Sequence, residues 1–409
     1  MKTITRSCIR VDANAATKDE AIYIAEQLLA DAGYIDSLLN PVIHPPARIT
    51  PMNKTTLSLA IAAALVTPLA ANADTILYGE ARVSVNYIDN HIQGVDTYWD
   101  VVDDGSKLGV KGTEDLGGGL SALYQWEFSV DMTEGGNFGG LNQKFSGLTG
   151  GFGTLTLGTQ DTPYWKVLNV IDIWNSSKVL NGSTYLGGSV TPETNVSGAL
   201  STLPNNVDYQ TPIFNGFSAE AMLVLDSNAA NTMLGSPNIS NNIDIWSVNF
   251  KYNQGPYFAG LTYIQLNGGN NVDLGNGRTV DLDLDNWGLG LGYKADQWLV
   301  GLIYEQGNFN NVNFERQVRV DGVPLATGSD AKSWYLTGQY AFGNNTIRAA
   351  YGQTDTGIDG QSTIDNYRLG YQYNFSKRTW IWAEYSGRSA DTPFYSDQDV
   401  VAAGTRILF

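Results

Sequence analysis

Cysteine is almost absent from the sequence: the only one, Cys8, precedes residue 74, and histidine occurs only twice. The region 74–409 therefore offers no disulfide and no thiol nucleophile, and its one histidine, His91, excludes a histidine-rich metal site. A serine–histidine esterase would have to use His91, which lies in a long polar loop away from any candidate serine. We expect no enzyme, no cofactor and no metal.

Positive charge is scarce as well. Residues 74–409 carry 18 Lys and Arg against 35 Asp and Glu, a net charge of −17. Because affinity for phosphate groups requires a basic surface, nucleic acid is not an expected partner.

Long apolar runs are missing after Asp74, where no 18-residue apolar segment occurs. One shorter run, residues 57–71, follows Met52 and Lys54 and ends at Ala-Asn-Ala before Asp74. A basic head, a short apolar stretch and a small-residue site are typical of a secretory signal peptide. We therefore predict a cleaved signal peptide at 52–73, an upstream extension at 1–51 that is absent from the mature protein, and an exported chain of 74–409. With no transmembrane helix, that chain would cross a membrane only as a barrel.

A period of two dominates the exported region, as in the stretch NYRLGYQYNF at 366–375. One face of this stretch is apolar and aromatic, and comprises Tyr367, Leu369, Tyr371, Tyr373 and Phe375. The other face is polar or small, and comprises Asn366, Arg368, Gly370, Gln372 and Asn374. The same alternation recurs at 77–87, 122–131 and 334–342. It predicts β-strands whose two faces meet different media, with the apolar face against lipid.

Short and long connections alternate between the predicted strands. Short turns are predicted at 115–119, 149–151, 213–216, 253–256, 294–297, 342–345 and 375–378. Long polar loops are predicted near 91–106, 131–142, 161–204, 226–242, 267–282, 307–331, 355–362 and 388–398. Seven turns and eight loops join sixteen strands, so we predict an all-β fold: a 16-stranded antiparallel transmembrane β-barrel.

Three motifs resemble the Gram-negative general porin family, of the type found in Neisseria and related proteobacteria: SKLGVKGTEDLGGGLSALYQWE at 106–127, GLTGGFGTLTLGTQDTP at 147–163 and NNVDYQTPIFNGFSAEA from 205. The resemblance covers essentially all of 74–409. It implies a homotrimer in the outer membrane, a passive channel for ions and small hydrophilic solutes, and contact with membrane lipid and lipopolysaccharide. The ending GTRILF, with Ile407 and Phe409 on one face, resembles the signal read by the outer-membrane assembly machinery.

The resemblance also implies a third loop that folds inward to narrow the barrel. Here that loop, 161–204, contains apolar residues that a solvated loop would not need. The candidate pore residues are a basic wall of Arg82, Lys107 and Lys111, acids at Asp161, Asp172 and Asp208, and loop aromatics at Tyr164, Trp165 and Trp174.

Departures from the family motifs suggest a preference for cations. Asn142 and Thr159 stand where the family often has arginine, and Asp208 replaces a third. Carboxylates lining a pore favour cations. Two alternatives stay open for the channel: the acids only decorate the extracellular loops, or the loop aromatics form a slide in a substrate-selective porin. A third alternative is a closed structural or adhesive barrel, which a conductance measurement would distinguish from either pore.

Overall fold

The computed structural model describes residues 74–89, 91, 97–135, 138–140, 142–176, 201–225, 243–267, 272–273, 279–280, 283–307, 330–355, 363–390 and 397–409. The predicted upstream extension at 1–51 and signal peptide at 52–73 lie outside the described residues. Within them, no helix is both long enough and apolar enough to cross a bilayer.

Strands make up most of the described chain. They are β1 (Asp74–Asp89), β2 (Tyr98–Asp103), β3 (Lys107–Gly117), β4 (Leu120–Val130), β5 (Phe138–Gly139), β6 (Lys144–Gly150), β7 (Gly153–Asp161), β8 (Thr202–Gln210), β9 (Phe217–Val224), β10 (Ile245–Gln254), β11 (Tyr257–Asn267), β12 (Val272–Asp273), β13 (Thr279–Val280), β14 (Asp283–Lys294), β15 (Trp298–Gly307), β16 (Ala331–Phe342), β17 (Asn345–Asp355), β18 (Ile364–Asn374), β19 (Thr379–Ala390) and β20 (Gln398–Leu408). Two short helical segments follow β7: α1 (Pro163–Leu168) and a 3₁₀ turn (Asn169–Ile171).

These strands occupy sixteen positions in one antiparallel sheet. The segments β2 and β3 share one position because both pair with β1, and β5 and β6 share another because both pair with β4. The two-residue strands β12 and β13 form a separate hairpin between β11 and β14. The closed 16-stranded antiparallel barrel predicted from the sequence is confirmed.

The barrel closes where the first strand meets the last. Strands β1 and β20 pair from Glu80 opposite Leu408 to Asp89 opposite Asp399. Below that ladder, the backbones of Gly79 and Phe409 exchange hydrogen bonds of 3.0 and 3.1 Å. Each of the sixteen positions thus has a hydrogen-bonded neighbour on both sides, so the sheet has no open edge.

The two faces of the sheet differ as the alternation predicted. In β18, Tyr367, Leu369 and Tyr371 are exposed on the outside, whereas Asn366 and Arg368 are buried on the inside. Further large apolar side chains are exposed on the outer face of other strands, among them Val85, Trp126, Leu157, Phe250, Leu261, Leu302, Leu336, Ile347 and Val401. An apolar surface of this extent is suited to lipid rather than to water.

Seven short turns lie at one end of the barrel, at the positions predicted from the sequence. The turn between β3 and β4 shows why the sequence reads Gly-Gly-Gly there. Gly117, Gly118 and Gly119 have φ angles of +82°, +64° and +80°, in the left-handed region that disfavours any residue with a Cβ. The strand ends that the long connections join lie at the opposite end of the barrel.

Replacement of Leu369 by arginine tests the outer face. Leu369 is 61% exposed at the middle of β18, so the charge would enter the centre of the hydrocarbon. We expect Leu369→Arg to lower the free energy of unfolding, measured by denaturant titration in lipid vesicles, by about 2–4 kcal/mol. The control is Thr154→Arg, which places the same charge in an interior cavity. Equal losses in both variants would contradict the assignment of the faces.

His91 clamps the loop end of the β1–β20 seam. Its Nε2 lies 2.8 Å from Asp399 and 4.0 Å from Asp89, and Tyr385 donates a 2.6 Å hydrogen bond to Asp399. The hydrogen bond to Asp399 raises the pKa of His91, with Asp89 and Asp397 adding to the effect. Because the pKa is higher in the folded state, the stabilisation is complete below the ordinary pKa of about 6.5 and is lost as pH rises through the raised value.

We therefore expect the wild type to lose stability relative to His91→Gln as pH rises above about 6.5. Thermal unfolding in detergent at several pH values would measure this difference. Identical pH profiles for the two proteins would show that the clamp contributes nothing.

Candidate functional site

The segment that follows β7 begins with a well-defined helix start. Thr162 caps α1 by accepting a 3.1 Å hydrogen bond from the backbone nitrogen of Trp165, and Pro163 occupies the first helical position. Proline is favoured there because its φ angle suits the helix and its missing N–H would have no partner in the helix. The local sequence Asp-Thr-Pro therefore turns the chain directly from strand into helix.

Helix α1 lies against the inner face of β10, β11 and β14, and the 3₁₀ turn lies against β14, β15 and β16. Glycines make this approach possible. A Cβ at Gly290 would lie 2.5 Å from the carbonyl oxygen of Val167, and one at Gly260 would lie 2.9 Å from a methyl group of the same residue. Gly288 and Gly292 leave comparable room for Leu168 and Val170. We call these four residues the glycine floor.

Polar contacts fix the start of the helix to the same wall. The Tyr164 hydroxyl donates a 3.1 Å hydrogen bond to Glu305, and its backbone nitrogen donates a 3.1 Å bond to the Ser247 hydroxyl. Asn249 donates a 2.9 Å bond to the carbonyl oxygen of Pro163. All of these groups are buried, so each bond satisfies atoms that water does not reach.

An ionic cluster also anchors α1 to the barrel wall. Lys166 pairs with the buried Glu220, which also accepts a 2.9 Å bond from Lys251. Asp208 lies 3.8 Å from the same Lys166 ammonium group. A buried carboxylate is tolerated only where it is paired, and Glu220 is paired on both of its oxygens.

The segment then reaches a second stretch of the wall. The Trp174 ring lies 4.4 Å below the guanidinium carbon of Arg368, and Asn175 and Ser176 bind the carboxylate of Glu384 on β19. The described part of the third connection, 162–176, therefore lies on the inner wall from β10 to β19. Residues 177–200 lie outside the described residues, so the inward fold of the complete loop stays a prediction.

A cavity of about 680 Å³ lies beside this segment, on the wall formed by β3 to β8. It brings together three of the predicted pore residues, Lys107, Asp161 and Asp208, with Lys166 opposite them. Amide and hydroxyl side chains make up most of the remaining lining, and Glu127, Leu123, Phe145 and Gly105 complete it. The amides and hydroxyls are Gln125, Ser129, Asn142, Gln143, Thr154, Thr156, Gln160, Thr202 and Gln210. Such a lining can exchange hydrogen bonds with water and small polar solutes.

In the two ion pairs of this cavity, the basic side chain is more exposed to solvent than its acidic partner. Lys107 lies 3.2 Å from Glu127, and their side chains are 37% and 8% exposed. In the pair of Lys166 and Asp208 the corresponding fractions are 31% and 7%. Asp161 accepts a 2.6 Å bond from Thr202 and is half-buried. The cavity therefore presents charges of both signs, with the two ammonium groups foremost.

The other predicted residues lie elsewhere. Lys111 is exposed with its ammonium 5.1 Å from the Tyr78 ring centroid, and Arg82 lies 3.4 Å from Glu80. Asp172 is exposed at the end of the 3₁₀ turn. The cavity that contains Lys107 is not lined by any of these three residues.

The loop aromatics are mostly packed rather than open. Tyr164 is fully buried and Trp174 nearly so, while Trp165 is half-buried. Gly370 gives room for one of these rings, because a Cβ there would lie 3.0 Å from Trp174, whereas Tyr164 is held by Ser247 and Glu305. An aromatic slide needs exposed ring faces, which Tyr164 and Trp174 do not offer in this arrangement.

Sequence reasoning missed the charged residues that anchor this segment. They are Lys166 in α1 and, on the inner wall, Glu220, Glu305 and Glu384, with Lys251 and Arg348 as the partners of Glu220 and Glu384. A signal was present, because alternation already assigns each strand residue of this set to the inner face. For example, Glu384 has the same parity as the inward Trp380 and Trp382.

A closed barrel with a lipid-compatible outside and a charged, partly filled interior defines a membrane channel protein. Residues 59–392 match the family model of the Gram-negative porin, and the chain belongs to that family. It is therefore an outer-membrane protein of the Gram-negative type and a passive channel for small solutes, not an enzyme.

Individual relatives agree with this assignment. The chain is 30% identical over 353 residues to the major outer membrane protein P.IB of Neisseria meningitidis serogroup B, covering 80% of this chain and 91% of that protein. The corresponding protein of Neisseria lactamica is 27% identical over 338 residues, with the same coverage. The anion-selective porin from Comamonas acidovorans superimposes with a TM-score of 0.63 at 21% identity, covering 82% of this chain and 99% of that one. At that identity the likeness shows the fold alone.

The glycine floor gives a testable prediction. A valine at Gly290 would force its Cβ into the Val167 carbonyl, so we expect Gly290→Val to lower the free energy of unfolding by about 1–3 kcal/mol and to displace α1. Denaturant titration and single-channel conductance would measure the two effects. Gly338→Val is the matched control, because a Cβ there approaches only one atom, at 4.0 Å. A Gly290 variant as stable as the Gly338 variant would contradict the tight approach of the helix.

Proposed function

We propose that the protein is a homotrimeric porin whose barrels are water-filled diffusion channels for ions and small hydrophilic solutes, with a mild preference for cations. The observation that carries the channel is the polar cavity of about 680 Å³, left on the wall of β3 to β8 while residues 162–176 cover the wall from β10 to β19. Charged groups act there through the electric field that they exert on passing ions, not as chemical reactants.

In this proposal the passage runs between two sets of charges. Arg82, Lys107 and Lys111 supply the basic wall, and Asp161, Asp172 and Asp208 supply the acids. Lys107, Asp161 and Asp208 share the cavity, which supports their role, whereas the remaining three act from positions further along the interior. Trp165, the half-buried member of the aromatic set, is the one available for contact with a passing solute.

The cation preference rests on the loop end of the barrel. Aspartates occupy strand ends there, including Asp89, Asp355, Asp365 and Asp399. Together with a net charge of −17 on the exported region, they would raise the local concentration of cations at the mouth. The exposed ammonium groups of Lys107 and Lys166 oppose this effect further in, which is why the proposed preference is mild.

Export and assembly complete the proposal. Residues 52–73 are the cleaved signal peptide, residues 1–51 are absent from the mature protein, and Ile407 and Phe409 form the assembly signal. The acidic loop end contacts lipopolysaccharide through bridging divalent cations. The trimer is supported by a solved form of OmpT of Vibrio cholerae, described as a trimer, which superimposes with a TM-score of 0.54.

A planar-bilayer recording tests the function directly. We expect stepwise conductance from the purified protein and, under a potassium chloride gradient, a reversal potential on the cation side. Lys107→Gln should move that potential further toward cations, and Asp161→Asn should move it back, because each removes one charge from the cavity.

Asp115→Asn, near the turn end of β3, is the control and should leave the reversal potential unchanged. An anion-side potential in the wild type would contradict the cation preference while retaining the channel. Complete absence of conductance would overturn the channel and favour the closed structural or adhesive barrel.

A further inference from the structure

Glu384 is a fully buried carboxylate on the inner face of β19, and the third connection is bound to it. Its Oε1 accepts hydrogen bonds from the backbone nitrogen and the side-chain amide of Asn175, at 2.9 and 3.0 Å. Its Oε2 accepts a 3.0 Å bond from the backbone nitrogen of Ser176. Two successive backbone N–H groups thus converge on one carboxylate, an arrangement that fixes both the position and the direction of the chain.

Two further residues of the surrounding wall form hydrogen bonds with Asn175. Trp380 donates a 3.0 Å bond to the Asn175 side-chain oxygen, and Asn175 donates a 3.2 Å bond to Gln372. The charge of Glu384 is balanced by Arg348 at 3.6 Å, which is itself held by Gln372 at 2.7 Å. We call Glu384, Gln372 and Trp380 the loop latch.

The loop latch is the second of two attachment points. The first, at α1, uses the glycine floor with Glu220 and Glu305 on β9 and β15. Between the two points lies the span 169–174, which includes the exposed Asp172. If the latch opened, the far end of this span would be held only by the contact of the Trp174 ring with Arg368, and its distance from the opposite wall would be fixed less tightly.

We propose that Glu384 is a positioning residue for permeation: by holding Asn175 and Ser176 on β19, it fixes the width and the charge of the passage. This proposal deepens the channel function proposed above and rests on it. Glu384 does not touch the solute, because its side chain is completely buried. Glu384 therefore affects the current indirectly, by holding residues 169–174 in position.

Glu384→Gln is the informative variant because it keeps the size of the side chain. Its amide group would turn two donors toward the N–H of Asn175 or Ser176, so one acceptor is replaced by a repulsive contact. Loss of a hydrogen bond to a charged group destabilises the docked state of the segment. We therefore expect the population ratio of released to docked segment to rise roughly 10- to 150-fold. We expect increased open-channel noise, frequent substates and a changed mean conductance in single-channel recordings.

Glu80→Gln separates positioning from charge. Glu80 is also a buried carboxylate of the inner wall, but its contacts are with Arg82 and Arg406, not with the third connection. It removes the same charge from a nearby strand without touching the latch. We expect Glu80→Gln to shift the reversal potential while its open-channel noise stays at the wild-type level. Equal noise in both variants would overturn the proposal.

A reversible tether provides the rescue. The Ser176 hydroxyl and the Asn86 side-chain oxygen lie 3.5 Å apart, and residues 74–409 contain no cysteine of their own. In the Glu384→Gln background, Asn86→Cys and Ser176→Cys would be joined by a short bis-methanethiosulfonate cross-linker. We expect the tether to restore the quiet wild-type current and a reducing agent to bring the noise back. Failure of the closed tether to quiet the channel would contradict the positioning role.

Cross-linking kinetics test the latch without any conductance. In the Asn86→Cys and Ser176→Cys protein, we expect the reaction with the cross-linker to be several-fold faster when Glu384 is present than when it is glutamine, because the latch keeps the two sites close. Heat-dependent mobility in gels would verify that each variant is folded. Equal rates would overturn the latch, whereas absent conductance with unequal rates would overturn the channel function alone.

Discussion

The rest of the structure depends on one constraint, which is that a backbone crossing lipid must satisfy all of its hydrogen bonds within the protein. A sheet meets this constraint only by closing, and here the closure is the pairing of β1 with β20 from Glu80 to Asp89. Closure then determines the side chains. Because successive residues point to opposite faces, every strand must present apolar groups outward and is free to present polar groups inward. The alternating sequence is thus a direct consequence of the solvent on each side.

A closed polar interior creates a second requirement, since a segment placed inside cannot rely on an apolar core alone. The third connection meets it in two ways. Val167 and Leu168 pack on the glycine floor, where missing side chains allow close approach. Buried carboxylates at Glu220, Glu305 and Glu384 then bind Lys166, Tyr164 and the chain around Asn175. The charged bonds supply direction, which non-directional apolar packing does not.

The sequence predicts the barrel well and the contacts of its interior less well. All seven short turns, the sixteen strand positions and the inward parity of Arg82 and Asp208 follow from local patterns of glycine, polarity and alternation. Alternation, however, gives only the face of a residue, not which partner it meets across the interior. The contact of Asn175 with Glu384 joins residues 209 positions apart, and no local pattern encodes it. For the same reason the burial of Tyr164 and Trp174 does not follow from local patterns. Tyr164 is bound by the distant Ser247 and Glu305, and the room for the Trp174 ring comes from the distant Gly370.

The charges inside and at the mouth act over different ranges. Ion pairs in the cavity, such as Lys107 with Glu127, are separated by 3.2 Å, which is well within the Debye length of about 8 Å at 0.15 M salt. The aspartates at the loop end act through solvent, where the Debye length falls from about 30 Å at 0.01 M salt to about 8 Å at 0.15 M. The mouth therefore influences ions most in dilute solution, whereas the influence of the partly buried charges in the cavity depends less on salt concentration. Since the ammonium groups are the more exposed members of the cavity pairs, the two regions favour ions of opposite sign. The ion preference of the channel is then set by the balance between a strongly screened field at the mouth and a less screened field in the cavity.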